Sequence, residues 1–372
     1  MMPKPFLAAA VQAAPVFLDR DATVDKACAL IAAAAANGAR LIVLPETFVP
    51  AYPAWVWFLP LTRRADIAML YRTLVEQSVE VPGPEVARLG AAARAAGAWV
   101  AVGVNERNAG HSGTTLYNTL LLFDDQGRLV EWHRKLMPTG GERMIWTPGE
   151  PVPLQVHDTP HGRIGQLICW ENYMPLARFA LYEQGAQIHL APTWDKSEQW
   201  IASMRHIARE GRMFVISVCQ ALHRDMVPDR FPFKDVLPAG LDWINVGNSV
   251  IVDPDGIVLA GPCEAKEEIL YAEIDPGKAS GSRWIFDAAG HYNRPDLFTF
   301  SQRGSEAAEP AGQAPAAKAA PVRPAKTMAV IKGPSSRSMA MPTPFTTKIT
   351  APNFCAMSNR ARSSPWTQAG CG

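Results

Sequence analysis

This chain has no apolar run long enough to cross a membrane. It has no CxxC pair and no histidine placed beside a cysteine at metal-ligand spacing. Its six cysteines, at 28, 169, 219, 263, 355 and 371, lie far apart. That pattern excludes a structural zinc ribbon and a disulfide framework, and predicts reduced thiols in a cytoplasmic protein. The N-terminal MMPKPFLAAAVQAAP lacks the layout of a signal peptide, because Phe6–Gln12 reads better as a first strand. No internal repeat is present. No basic stripe interleaved with aromatics runs through the body, so nucleic acid is not expected as a partner. Charged residues are also sparse, at 19% against 48% apolar, which leaves ample material for a large core.

Charge is unevenly placed. From Gly304 onward eight Lys/Arg stand against two acidic residues, a tail of +6; residues 1–303 then carry −5 of the total of +1. The same tail is rich in Ala, Pro, Ser and Thr and has no hydrophobic period. The expected division is a catalytic domain over 1–302 and a basic, disordered tail over 303–372.

Within the body, strand and helix patterns alternate. Phe6–Gln12 is a strand, and the Ala-rich run after Asp21 or Thr23 is a helix that Asn37-Gly38 ends. Arg40–Leu44 is a fully apolar strand closed by Pro45-Glu46. This strand–helix–strand unit predicts a sheet with helices packed on it. Ala65–Gln77 and Glu85–Ala96 read as helices, Trp99–Val104 as a strand, and Leu116–Phe123 with Leu129–His133 as a hairpin. Further buried-type strands are expected at Arg163–Cys169, Gln187–Ala191 and Met213–Cys219. A helix over Ser197–Glu210 would bury Trp200, Met204 and Ile207, and a second hairpin turns at Pro254-Asp255-Gly256 before Leu270–Ile274. Two stretches have no clean period: Val49–Leu61, rich in Trp and Pro, and His223–Val246, long enough to be functional or interfacial.

Three reactive side chains fall at the ends of apolar strands: Glu46, Lys135 and Cys169. Ligand sites in open α/β sheets are commonly built there. Cys169 sits where a buried strand gives way to the helix opened by Pro175, and a helix N-terminus favours a thiolate. A thiol nucleophile needs a base for its proton and a positive group near the charge that develops on the substrate. Taken singly, each has a plainer reading: a core cysteine, a loop carboxylate, a surface lysine.

The local contexts VLPETF, HRKLMPT and ICWEN, in that order, resemble the Glu–Lys–Cys signature of the nitrilase superfamily. The likeness runs from Phe6 to about Phe298. The CWEN form and GHYNRPD are closest to the true nitrilase branch. The resemblance implies an α/β fold, a four-layer αββα sandwich, and dimers that build longer spiral assemblies. It implies no cofactor and no metal. Glu46 would be the base, Cys169 the nucleophile and Lys135 the cation, with Glu142 of the GGER segment as an additional glutamate. The substrate implied is a small organic nitrile, hydrolysed to acid and ammonia through a thioimidate and a thioester. An amidase or N-carbamoyl amidohydrolase would use the same triad. Trp170, Trp194, Tyr52 and Trp57 are the candidate substrate-binding residues, with Trp55 a further aromatic of the pocket and the Trp170 N–H a candidate oxyanion donor. Glu171 either orients the site or pairs with an arginine. His189, His206 and His291 are read as structural, and Cys219 as an inert core thiol.

Overall fold

A computed structural model describes residues 3–110 and 112–303 of the chain. The disordered tail expected over 303–372 lies, beyond Arg303, outside the described residues. Two sheets form the centre. The first has the order β13–β1–β2–β3–β4–β5, where β1 is Phe6–Gln12, β2 Ala39–Val43, β3 Trp99–Arg107, β4 Leu116–Phe123, β5 Leu129–Arg134 and β13 Glu268–Ile274. The second has the order β10–β11–β9–β8–β7–β6, with β12 also on β11. Here β6 is Val156–Thr159, β7 Gly162–Gln166, β8 Ile188–Leu190, β9 Phe214–Ser217, β10 Ala221–His223, β11 Trp243–Val252 and β12 Val258–Glu264.

Strand alternation explains the layering. In β1, Ala8 and Ala10 point into a core shared with Ile164, Ile188, Leu190, Phe214 and Ile216 of the second sheet, so the two sheets face one another. Ala9 and Val11 point the other way, onto helix α1 (Arg20–Ala36) and helix α3 (Pro84–Ala96). The outer face of the second sheet, with Val215 and Val250, is covered by helices α4 (Pro175–Glu183) and α5 (Glu198–Gly211). The result is the expected four-layer αββα sandwich. Because both faces of each sheet are covered, the central strands read as continuous apolar runs.

Several sequence expectations are corrected in detail. Helix α1 starts one residue before Asp21 and is capped by Asp19, whose side chain accepts from the Ala22 N–H; Thr23 bonds back to Val16 and Asp19 instead. The short edge strand β6 was not expected. Strand β11 begins at Trp243, inside the stretch read as irregular. The remainder of that stretch supplies Phe231, Phe233 and Leu237 to a satellite core. That core also holds Phe17, Leu70 of helix α2 (Arg64–Gln77) and Trp55. Trp55 is therefore a core residue, not part of a pocket wall.

Candidate active site

The site lies where strand ends of the two sheets meet. Lys135 directly follows β5, and its backbone N–H still bonds Asn118 O of β4, which continues the ladder. Its side chain crosses into the space between the sheets and is 1% exposed. There Nζ donates to Glu46 Oε1 and to Glu142 Oε2, each at 2.8 Å. Glu46 follows β2 and is held by Asn118 Nδ2 at 2.7 Å, while Gln220 Nε2 bonds its carbonyl at 2.8 Å. Gly103 of β3 lets this loop approach: a Cβ there would stand 2.3 Å from Pro45 O and 2.4 Å from Thr47 N. Glu142 lies in a short 3-10 turn, where its Oε2 also accepts the Thr139 N–H. Tyr52 donates its hydroxyl to Glu142 Oε1 at 2.7 Å.

Cys169 arrives from the other sheet. Strand β7 ends at Gln166, three residues before it, and Cys169 opens a 3-10 turn, Cys169–Tyr173, ahead of α4. Its φ is +50°, a conformation that a non-glycine residue adopts only when its surroundings hold it. They do: its N–H bonds Pro192 O, and Asn172 Nδ2 bonds its carbonyl, both at 2.8 Å. Thr193 donates its hydroxyl to Sγ at 3.1 Å.

The electrostatics correct one expectation. Burial disfavours a thiolate at Cys169, and the helix opened by Pro175 starts six residues further on. Burial raises its thiol far above the ordinary range and Glu46 raises it further, against the pull of Lys135. Glu46 is also raised, by burial first and by Glu142, although Lys135 opposes both. Burial alone would lower Lys135, but Glu46, Cys169 and Glu142 outweigh it and hold the ammonium charged. The arrangement keeps a neutral thiol beside a basic carboxylate until something shares the proton. Glu46 Oε2, buried and without a hydrogen-bond partner among the described residues, is free to accept it.

A cavity of about 280 Å³ is lined by Tyr52, Trp57, Thr139, Glu142, Cys169, Trp170, Trp194 and Asp195. All four expected binding residues line it. Tyr52 and Trp194 stack with ring centroids 4.2 Å apart and planes at 3°. Trp57 Nε1 donates to the Tyr52 hydroxyl, and the half-exposed Trp170 donates its Nε1 to Asp195 at 2.9 Å. A larger cleft, about 500 Å³, lies along β5 between Val130 and His157 and is lined by no cysteine. His189 is fully buried against Asn172 Oδ1, and burial lowers it to about 3, so it is a neutral structural group. Cys219 is buried and its thiol lies well above the usual range, again by burial first. Sequence reasoning missed Asn118, Thr193 and Gln220. Thr193 had a signal in APTWD; Asn118 and Gln220 had none, since a lone amide in an apolar strand marks nothing until its partner is known.

The carbon-nitrogen hydrolase family model matches residues 7–283. Nitrilase blr3397 of Bradyrhizobium diazoefficiens is 44% identical over 299 residues, covering 80% of this chain and 91% of that protein. A bifunctional nitrilase/nitrile hydratase of Nicotiana tabacum, NIT4B, is 42% identical, covering 80% and 85%. Among solved structures, a carbon-nitrogen hydrolase from Helicobacter pylori G27 superposes with a TM-score of 0.61 at 20% identity, over 80% of this chain and 97% of that one. Saccharomyces cerevisiae Nit3, a member of branch 10 of the nitrilase superfamily, gives 0.59 at 21%, over 79% and 98%. These likenesses concern the fold; the matched model and the closely similar sequences carry the assignment. The chain belongs to the carbon-nitrogen hydrolase family.

Proposed function

We propose that this protein is a nitrilase that hydrolyses organic nitriles to carboxylic acids and ammonia through a covalent adduct on Cys169. The observation that carries the reading is a small aromatic-walled cavity lined by the Cys169 thiol and Glu142, with the buried Lys135–Glu46 pair joined to Glu142 directly behind it. The similarity to named nitrilases supports the substrate class.

Glu46 takes the Cys169 proton as sulfur adds to the nitrile carbon, and the nitrogen is protonated to give a thioimidate. Water, relieved of a proton by Glu46, adds to that carbon; Lys135 and the Trp170 N–H stabilise the tetrahedral species. The C–N bond breaks and ammonia leaves. A second water, activated again by Glu46, cleaves the thioester to acid and free thiol. Two waters are consumed for each nitrile. Glu142 and Tyr52 hold Lys135 in place. If the C–S bond breaks before the C–N bond, an amide leaves instead, a partition supported by the double name of the tobacco relative.

The volume of about 280 Å³ and its aromatic walls suit aliphatic or aromatic nitriles of modest size. Homo-oligomers are part of the proposal: Tyr173, Met174 and Leu176, at the start of α4, leave an apolar patch exposed that a second copy would cover. The free cysteines 28, 169, 219 and 263 support a reducing, cytoplasmic setting. Mass spectrometry of the enzyme with nitriles, their amides and N-carbamoyl analogues tests the reading. Acid from nitriles and an adduct on the Cys169 peptide are expected, and Cys169→Ala should abolish both. Turnover of amides or carbamoyl compounds alone would overturn the nitrile assignment.

A further inference from the structure

One buried carboxylate at the site takes no part in the chemistry above. Glu171 lies two residues after Cys169 and is 1% exposed. Its Oε2 accepts the N–H of Ile168, the residue before the nucleophile. Its Oε1 accepts the N–H of Leu136, the residue after Lys135. His133 Nε2 stands 3.0 and 2.9 Å from the two oxygens. The partner is thus a histidine, not the arginine that the sequence left open. His133 and Lys135 alternate along one extended segment, so both face the second sheet.

This geometry is the polar tie between the two halves of the sandwich that reaches the backbone beside both Cys169 and Lys135. The nucleophile hangs from the second sheet and the ammonium from the first, and apolar packing between sheets does not by itself fix their separation. Glu171 holds the backbone one residue from each, through hydrogen bonds that its negative charge strengthens. From this placement we infer that Glu171, held by His133, is a positioning residue that sets the distance between Cys169 Sγ and Lys135 Nζ. It touches neither thiol nor ammonium and acts through the two main-chain segments that carry them. The inference rests on the assignment of Cys169 and Lys135 as reacting groups.

The chemistry of the carboxylate makes it testable. A glutamine of the same shape offers one acceptor oxygen and one NH2, so either Leu136 or Ile168 would face a donor with a donor. The test uses the full chain, a nitrile that the wild type turns over, and kcat counted per Cys169 thiol whose iodoacetamide labelling the substrate blocks, so that thiols exposed in misfolded chains are not counted. Glu171→Gln is expected to lower kcat per labelled site about a hundredfold, the scale of a misplacement of about 1 Å, with KM within about threefold. His133→Gln, which keeps a neutral donor, should retain at least about tenfold more kcat than His133→Leu. The double variant Glu171→Gln with His133→Leu should be no slower than Glu171→Gln alone, because the two act as one unit.

A Glu171→Gln enzyme within about threefold of wild type per labelled site overturns the proposal. So does equal kcat in His133→Gln and His133→Leu, a comparison that decides the matter alone if Glu171→Gln does not fold. Cys169→Ala separates the two layers of argument. Activity in that variant would remove the nucleophile assignment itself, whereas an inactive Cys169→Ala beside a fully active Glu171→Gln removes only the positioning role.

Discussion

Lys135 places one ammonium between two carboxylates, all three side chains buried from bulk solvent, so its removal should be felt in stability as well as rate. Lys135→Met leaves Glu46 and Glu142 buried without their cation. Breaking a buried pair in this way costs about 3–5 kcal/mol. Glu46, already held above its ordinary range by burial, would be pushed higher. A carboxyl whose folded pKa is raised contributes stability below its unfolded pKa of about 4.3 and loses it as pH rises through the folded value. Chemical denaturation of Lys135→Met should therefore show a deficit that is largest near pH 8 and shrinks toward pH 5; a pH-independent deficit would contradict the buried-charge account. The same raised Glu46 sets the acid side of catalysis in the intact enzyme. The base is lost as pH falls through its folded pKa, so the acid limb of kcat/KM should have its midpoint above about 4.3, the value for an ordinary glutamate. Glu46→Gln should lose about 10²–10⁴ in rate. A midpoint at or below that of a free carboxylate in steady-state kinetics would contradict the burial of the base.

At the scale of elements, the site depends on how closely strand ends and loops approach. The run RLIVL showed that Glu46 follows a buried strand, and HRK placed Lys135 at the end of another. What no period reveals is that the Glu46 loop lies against β3 at Gly103, because that contact is between segments more than fifty residues apart. Alanine there would meet backbone atoms at 2.3 and 2.4 Å, which cannot swing aside as a side-chain tip would. Gly103→Ala should cost about 1–3 kcal/mol and lower kcat at least tenfold by displacing Glu46. Unchanged kcat in the purified variant would show that the loop yields without moving its carboxylate. The left-handed turn at Cys169 was equally hidden. ICWEN read as the end of a strand, Arg163–Cys169, ahead of a helix opened by Pro175; the helix does start there, but the strand stops at Gln166. The nucleophile thus sits in neither, and its thiol is governed by burial and Glu46 more than by a helix terminus.

A helix-covered sheet was readable in the strand and helix pattern, the stacking of two such sheets came only from the family resemblance, and the margins were less legible. Apolar strands alternating with helices marked a covered sheet, since only strands buried on both faces stay apolar throughout. A core-covering loop was one reading of Val49–Leu61, but its partners were not readable, because Trp55, Phe231 and Phe233 come together from distant segments without shared periodicity. The margin at the C-terminal side follows the same logic. Phe300 packs edge-on against Phe179 of α4 with centroids 5.1 Å apart, and Gln302 accepts from the Leu154 N–H at 2.7 Å. A cut after Phe300 removes that second anchor, whereas a cut after Arg303 spares both. We propose that residues 304–372 are dispensable for chemistry: their composition offers no apolar period, and the family match ends at residue 283. A chain ending at Arg303 should keep kcat per labelled Cys169 within about twofold and its melting temperature within a few degrees, as one or two lost surface contacts allow. A chain ending at Phe300 should melt measurably lower, because Leu154 loses its partner beside α4. If the longer of the two loses activity while remaining folded, the tail takes part in catalysis, and the boundary at 302 is wrong.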